Sequence, residues 1–488
     1  MVRKGLLLIS VLVVSLLALA QNALVSTSAD TKGVSLTIYS QNFGVVREKR
    51  DINLKQGLNT VLFQDVPISI DPTSVTIKSL TAPNALTMRE QDFLYDALNS
   101  TSILDKSVGK TIKLRRTLPN GQVELVEGVL LNPPTAILSG LSPINQGMVV
   151  RLKDGSLLVN PVGEVVLDVV PEGLIARPTL MWQLDAGRGG SQTIEVGFIA
   201  NNLSWRADYV AVVNQAETAV DLNGLVTLDN HSGATYRDTQ LQLLAGDVRR
   251  VSQGVSPMPE YGVAMMRAGA PEAPQFQEQA FSDYHLYTLE GKTTLRDNET
   301  KQLNFMSAKN VKVNRKFVMD LGRRVFTMRG VPGEGGETQE GRANIIFELK
   351  NSKENNMGIP MPRGRVRAYK SDENGNLQLL GEDQIDHTPR DQTIRLYIGD
   401  AFDVMGERVH TNHNQISDRI YEDSYKITVT NRKTVPAAVM VVEHLSGDWQ
   451  ITESSQKYNK LDAYTVEFPT TVPANSKVVV SYTVRVKF

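Results

Sequence analysis

Between residues 204 and 251 the chain alternates apolar and polar side chains, and that period of two constrains its fold more than any other feature. Alternation buries one face of a strand and wets the other. Turn-forming residues interrupt it at Asn223-Gly224 and again from Asn230 to Gly233. The segment therefore predicts consecutive antiparallel strands of a sandwich.

The same pattern, punctuated by Gly, Pro and Asp, extends over most of the chain. Residues 34–90 read as a small N-terminal β domain, with turns at Gly57, Pro67 and Asp71-Pro72. A polar stretch from Asp92 to Asp105 has room for a helical turn. Residues 106–180 carry short strands joined by Asn120-Gly121 and Asp154-Gly155, which favours a small closed barrel of SH3 or Sm type acting as a structural insert. Residues 194–488 read as a C-terminal sandwich. It is interrupted at 252–281, where Pro257, Pro259, Pro271 and Pro274 break periodicity and a mobile loop is expected, with a second loop from Gly333 to Gly341. The expected fold is thus all-β and multidomain, with an SH3-like small barrel inserted before an immunoglobulin-like β-sandwich. Strands ending at Asn230, Asn351 and Asn431 repeat one theme, a strand closed by an asparagine that caps the following turn.

The opening residues set the expected address. Arg3 and Lys4 precede an apolar run from Leu6 to Leu19, and Ala18-Leu19-Ala20 is a small-x-small cleavage site, so residues 1–20 read as a secretory signal peptide. After cleavage at Gln21 the chain is expected to be exported rather than integral to the membrane. It has no cysteine among 488 residues, which excludes disulfides and thiolate metal sites. A net charge of -1 gives no overall field to attract nucleic acid. No cofactor is expected.

Four groups of residues are candidate sites. His410 and His413, with Asp400 and Asp403 upstream, have the donor types of a zinc or manganese site. The spacing lacks the intervening Glu of a zincin helix and lies in polar, loop-like sequence, which favours two solvated histidines. Asp229, His231 and Ser232 are too close together in one turn to form a relay, so no catalytic residue is assigned. Lys309, Lys312, Arg315, Lys316, Arg323, Arg324 and Arg329 face a single acidic neighbour in sequence, Asp320, and are the candidate binding face for an anionic partner, although charges alternating with apolar residues, as in Val311-Lys312-Val313, are also what a solvated strand face carries. Trp182, Trp205 and Trp449 lie among alternating apolar residues, where core packing is their expected role.

Four stretches, 203–209, 229–236, 397–407 and 441–449, give the chain a family likeness. From about Ile194 to the C-terminus it resembles the bacterial proteins carrying the domain of unknown function DUF4139, a group that includes the mucoidy inhibitor A proteins. The opening strands look like the short β entry segment of those proteins, although the small barrel stands where they place a coiled coil. The resemblance implies an exported β-rich protein and supplies no catalytic residues. The function expected is that of a non-enzymatic scaffold or interaction protein of the bacterial envelope, in the periplasm, at the cell surface or outside the cell, holding an envelope polymer or a protein partner. A metal-assisted hydrolase acting on envelope polymers is the alternative.

Overall fold

The computed structural model describes residues 23–96, 100–117, 121–133, 135–139, 142–169, 175–250, 275–322 and 338–488. The expected signal peptide at 1–20, residues 252–274 of the expected mobile insert and most of the expected loop from Gly333 lie outside them. The protein is all-β and multidomain. Two large sheets and a four-stranded sheet surround its main core, and a smaller unit is inserted among them.

Residues 34–90 do not close into a separate domain. Phe43–Leu54 pairs along its whole length with Gly190–Asn201, and Thr31–Tyr39 runs parallel to Tyr236–Ala245. Gly57–Gln64 pairs with Thr179–Ala186 in the four-stranded sheet. The correction has a simple cause. A few strands with one apolar face need a second layer to cover it, and the segments beyond residue 178 supply that layer. Phe63, Trp182, Phe198 and Trp205 consequently share one core. Trp182 is wholly buried, packs on Phe63 at 5.0 Å between ring centroids, and donates its indole N–H to Gln91 Oε1 at 2.8 Å. Burial of a side chain such as Phe63 contributes about 1.5–3 kcal/mol.

The insert leaves and re-enters this sandwich between neighbouring strands, since Leu94 and Thr179 are register partners. It holds the short helix Ser100–Asp105, a hairpin of Thr135–Ser139 and Ser142–Gln146, and a five-stranded sheet in the order Leu157–Val159, Val149–Leu152, Val123–Asn132, Thr111–Thr117, Glu164–Val166. Leu104, Ile112, Leu114, Leu130 and Val150 form its own core. Gly155 takes φ +87° in the expected hairpin turn, a conformation that favours glycine. No closed barrel forms among the described residues, because no ladder joins the first and last of these strands.

Two further expectations change. Asn223-Gly224 is not a turn but lies inside the strand Ala219–Asn230, where the register slips between Gly224 and Leu225. A Cβ at Gly224 would lie 2.7 Å from Met306 Cγ, so this glycine permits a bulge and a close approach. Within the expected mobile insert, Phe276–Phe281 is a strand that pairs with Tyr284–Leu289.

A second core lies toward the C-terminus, built from Phe317, Val404, Val429, Val441, Phe468 and Val480 among others. Three strands run through both cores, one of them Thr338–Lys350, which buries Phe347 in the first and Ala343 in the second. Glu299–Met319 buries Phe305 and Val311 in the first and Phe317 and Met319 in the second, while Thr393–Ser417 buries Leu396 in the first and Val404 in the second. No helix among the described residues is long and apolar enough to cross a membrane.

Candidate functional site

The long strand Thr393–Ser417 turns at Asp418-Arg419 and returns as Ile420–Asn431. In a regular strand His410 and His413, three residues apart, would point to opposite faces. Here His410 pairs with Tyr425, Asn412 with Ser424 and His413 with Asp423, so Thr411 is an extra residue in a bulge. The bulge restores parity, and both imidazoles emerge on the face that carries Tyr421, Asp423 and Tyr425.

The three polar groups then meet. His410 Nε2 lies 2.9 Å and His413 Nδ1 2.6 Å from Asp423 Oδ1, and the three ligand atoms all fall within 4.8 Å of one another. His410 stacks on Tyr425 and His413 on Tyr421, with ring centroids 4.8 and 5.5 Å apart. His413 is exposed, while His410 and Asp423 are partly buried. The donor set is two imidazole nitrogens and a carboxylate oxygen, which suits zinc and its neighbours.

Below this cluster the same face descends into the second core. Tyr425 stacks on Tyr482, and the Arg408 guanidinium lies 3.9 Å above the Tyr425 ring. Arg408 Nε donates to both oxygens of the buried Glu443, at 3.0 and 2.9 Å, and Tyr482 donates its hydroxyl to the same carboxylate at 2.5 Å. Burial works against the Arg408 charge, but the Glu443 carboxylate and the flanking tyrosines hold its pKa above the ordinary value. Burial, followed by the charge of Glu443, pushes the Tyr482 hydroxyl well up.

Asp400 and Asp403 do not belong to this cluster. An extended strand advances about 3.3 Å per residue, which puts Asp403 roughly 23 Å and Asp400 roughly 33 Å from His410. Asp400 accepts instead from Asn344 Nδ2 and the Tyr397 hydroxyl. The carboxylate that joins the two histidines is Asp423, which no local pattern in the sequence marks. It stands four residues beyond the Asp418-Arg419 turn and His413 five before it, and the register shift between Gln415 and Ser417 makes the two partners. The histidines also lie in a strand rather than the expected loop.

Arg323, Arg324 and Arg329 of the basic stretch lie outside the described residues. Lys309 and Lys312 are exposed on Glu299–Met319. Arg315 and Lys316, as strand neighbours, point to opposite faces, so the stretch does not form one surface. Arg315 Nε lies 2.9 Å from Glu217 and its guanidinium 4.5 Å over Phe317, while Lys316 Nζ lies 2.5 Å from Glu348. Glu217 comes from the turn ahead of Ala219–Asn230 and Glu348 from the strand Thr338–Lys350, which is why sequence proximity to Asp320 alone overstated the charge imbalance.

The remaining candidates resolve structurally. Asp229 accepts from Arg206 and Thr300, His231 Nδ1 meets Asn298 Oδ1 at 3.1 Å, and the buried Ser232 bonds to Asn230 and Tyr236. They form a turn and not a relay. Trp205 is buried, whereas Trp449 is partly exposed, donates to the Ala463 carbonyl and carries Lys460 over its ring at 4.3 Å. An apolar cavity of about 10 Å³ lies in the main core beside Phe347, Leu349 and Met361. It is a packing void, lined by no polar side chain. No model of a known protein family matches the chain, and no curated protein sequence matches it.

Proposed function

We propose that this protein is an exported, non-enzymatic scaffold or interaction protein of the bacterial envelope. The observation that carries the reading is the set of three strands, Glu299–Met319, Thr338–Lys350 and Thr393–Ser417, each continuous through two hydrophobic cores. A linker between domains absorbs rotation, whereas an unbroken hydrogen-bonded strand transmits it, so binding surfaces on the two halves keep a fixed spacing. The leader-like opening residues and the resemblance to the DUF4139 proteins support the envelope address. The anionic partner expected from sequence would meet Lys309 and Lys312, which remain exposed.

Affinity capture from intact cell envelope, with the mature chain as bait, tests this reading. Recovery of a defined protein or polymer in a constant ratio to bait supports a scaffold. Capture that matches an unrelated β protein of equal charge would overturn it.

A second reading, a metal-assisted hydrolase acting on envelope polymers, is favoured by one observation, the convergence of His410, His413 and Asp423. Turnover of purified envelope polymer that depends on added zinc and disappears in His413→Ala would establish it.

A further inference from the structure

We propose that His410, His413 and Asp423 bind one divalent cation of the zinc type at the outer end of the second core. The inference concerns binding alone and rests on neither functional reading.

Geometry is the first argument. A tetrahedral cation with bonds of about 2.0–2.1 Å holds its ligand atoms roughly 3.4 Å apart. The two nitrogen–oxygen separations, 2.9 and 2.6 Å, are shorter than that edge, as hydrogen bonds without a cation must be, and all three ligand atoms lie within 4.8 Å of one another. The side chains stand at the solvent-facing end of the hairpin, so small rotations open the triangle without moving the backbone.

Chemistry is the second. Asp423 Oδ1 is approached by both ring nitrogens at once. Without a cation, each ring must place a hydrogen on the nitrogen facing that oxygen. With one, both hydrogens shift to the far ring nitrogens as neutral tautomers, leaving two lone pairs and a carboxylate directed at one point. Two imidazoles and one carboxylate favour zinc, cobalt, nickel or copper over magnesium and calcium, which prefer oxygen ligands.

Preorganisation is the third. The bulge at Thr411 brings both histidines to one face, and Tyr425 and Tyr421 hold the two rings by stacking. Among the described residues no further His, Asp or Glu joins the group, so the remaining coordination positions face solvent.

The test uses tag-free mature protein stripped with chelator and dialysed. Zinc is titrated by calorimetry, and cobalt is followed by its visible absorption. One equivalent per chain is expected. Loss of a direct ligand should weaken binding by at least the roughly 10–100-fold seen when outer-shell partners are lost, in each of His410→Ala, His413→Ala and Asp423→Asn. His231→Ala, on the other sandwich, should bind as the parent does, and magnesium should not compete. Asp423→Asn preserves size and the stacked rings, so it remains informative if a histidine variant misfolds. Absence of saturable zinc binding, or binding unchanged by Asp423→Asn and by the double histidine variant, would overturn the proposal.

Discussion

Asn230 and Asn431 end strands in different cores and do the same work there. Each is wholly buried, and each Nδ2 donates to the carbonyl four residues ahead and to two carbonyls of a distant loop. Asn230 reaches Ala234, Leu295 and Arg296, and Asn431 reaches Val435, Val472 and Pro473. Each Oδ1 accepts the N–H two residues on. Asn351 repeats the design, donating to Ile359, Thr388 and Pro389 and accepting from Gly358. One side chain thus satisfies a turn and pins a second loop to it.

Asn431→Asp tests this directly, because it keeps the shape and turns a donor into an oxygen facing three carbonyl oxygens. A loss of about 3 kcal/mol or more is expected, against at most about 0.5 kcal/mol for Asn459→Ala on the surface. Urea denaturation of both variants beside the parent measures it.

The Arg408 and Glu443 pair gives a second expectation. Glu443→Gln leaves a guanidinium in the core without its counter-charge and should cost about 3–5 kcal/mol. The double variant Arg408→Met with Glu443→Leu should recover part of that loss, since an apolar pair of similar volume often replaces a buried ion pair at little cost, the remainder being the buried Tyr482 hydroxyl left without its acceptor. A double-mutant cycle by thermal or urea unfolding decides it.

Alkaline pH should unfold the protein through its tyrosines. Burial pushes the hydroxyls of Tyr209, Tyr236, Tyr287 and Tyr482 above their ordinary value of 10.0. A group whose pKa is raised by folding contributes stability that is whole below the unfolded value and is lost as pH climbs past it. Stability should therefore hold to about pH 9.5 and fall steadily above pH 10. Ultraviolet titration of the 14 tyrosines should show at least these four ionising only together with unfolding.

Gly364 begins a strand that runs parallel to Leu203–Val213. A Cβ there would sit 2.3 Å from the Ala207 carbonyl oxygen, which is backbone and cannot rotate away. Gly364→Ala should cost about 1–3 kcal/mol, whereas Gly33→Ala, with open space around it, should be neutral or slightly stabilising. Melting temperatures of the two variants make the comparison.

What the sequence could show depended on the range of the interaction. Period-two alternation is local, so the strands around Phe43, Val61, Val149 and Val429 were legible from their own residues. The Asp154-Gly155 turn was equally plain. Pairing between distant strands leaves no local mark, so nothing near Phe43 announced that its partner was Asn201. Gly224 was ambiguous for a related reason, since a glycine that makes a turn and one that makes room for Met306 look alike in one dimension. At the candidate site the histidines were visible, but Asp423 was hidden by a bulge that changes which residues share a face. The basic stretch misled in the opposite direction, because Glu217 arrives from a distant turn and Glu348 from another strand.

The meeting of Leu94 with Thr179 has a consequence for the unit between them. The neck is clamped just above that pair, where Asp96 N–H donates to the Ile175 carbonyl and Ile175 N–H to the Asp96 carboxylate. The backbone hydrogen bond from Ile175 is the main cause of the lowered Asp96 pKa, so the clamp is tightest when that carboxylate is charged. To the host sandwich, everything above the neck is a loop whose ends are already joined, and loop-closure entropy changes by only about 0.6 kcal/mol for each doubling of length. The host core is therefore almost indifferent to what the neck carries. The insert can be shortened, exchanged or remodelled under constraints set by its own small core, while the sandwich beneath it goes on folding as before.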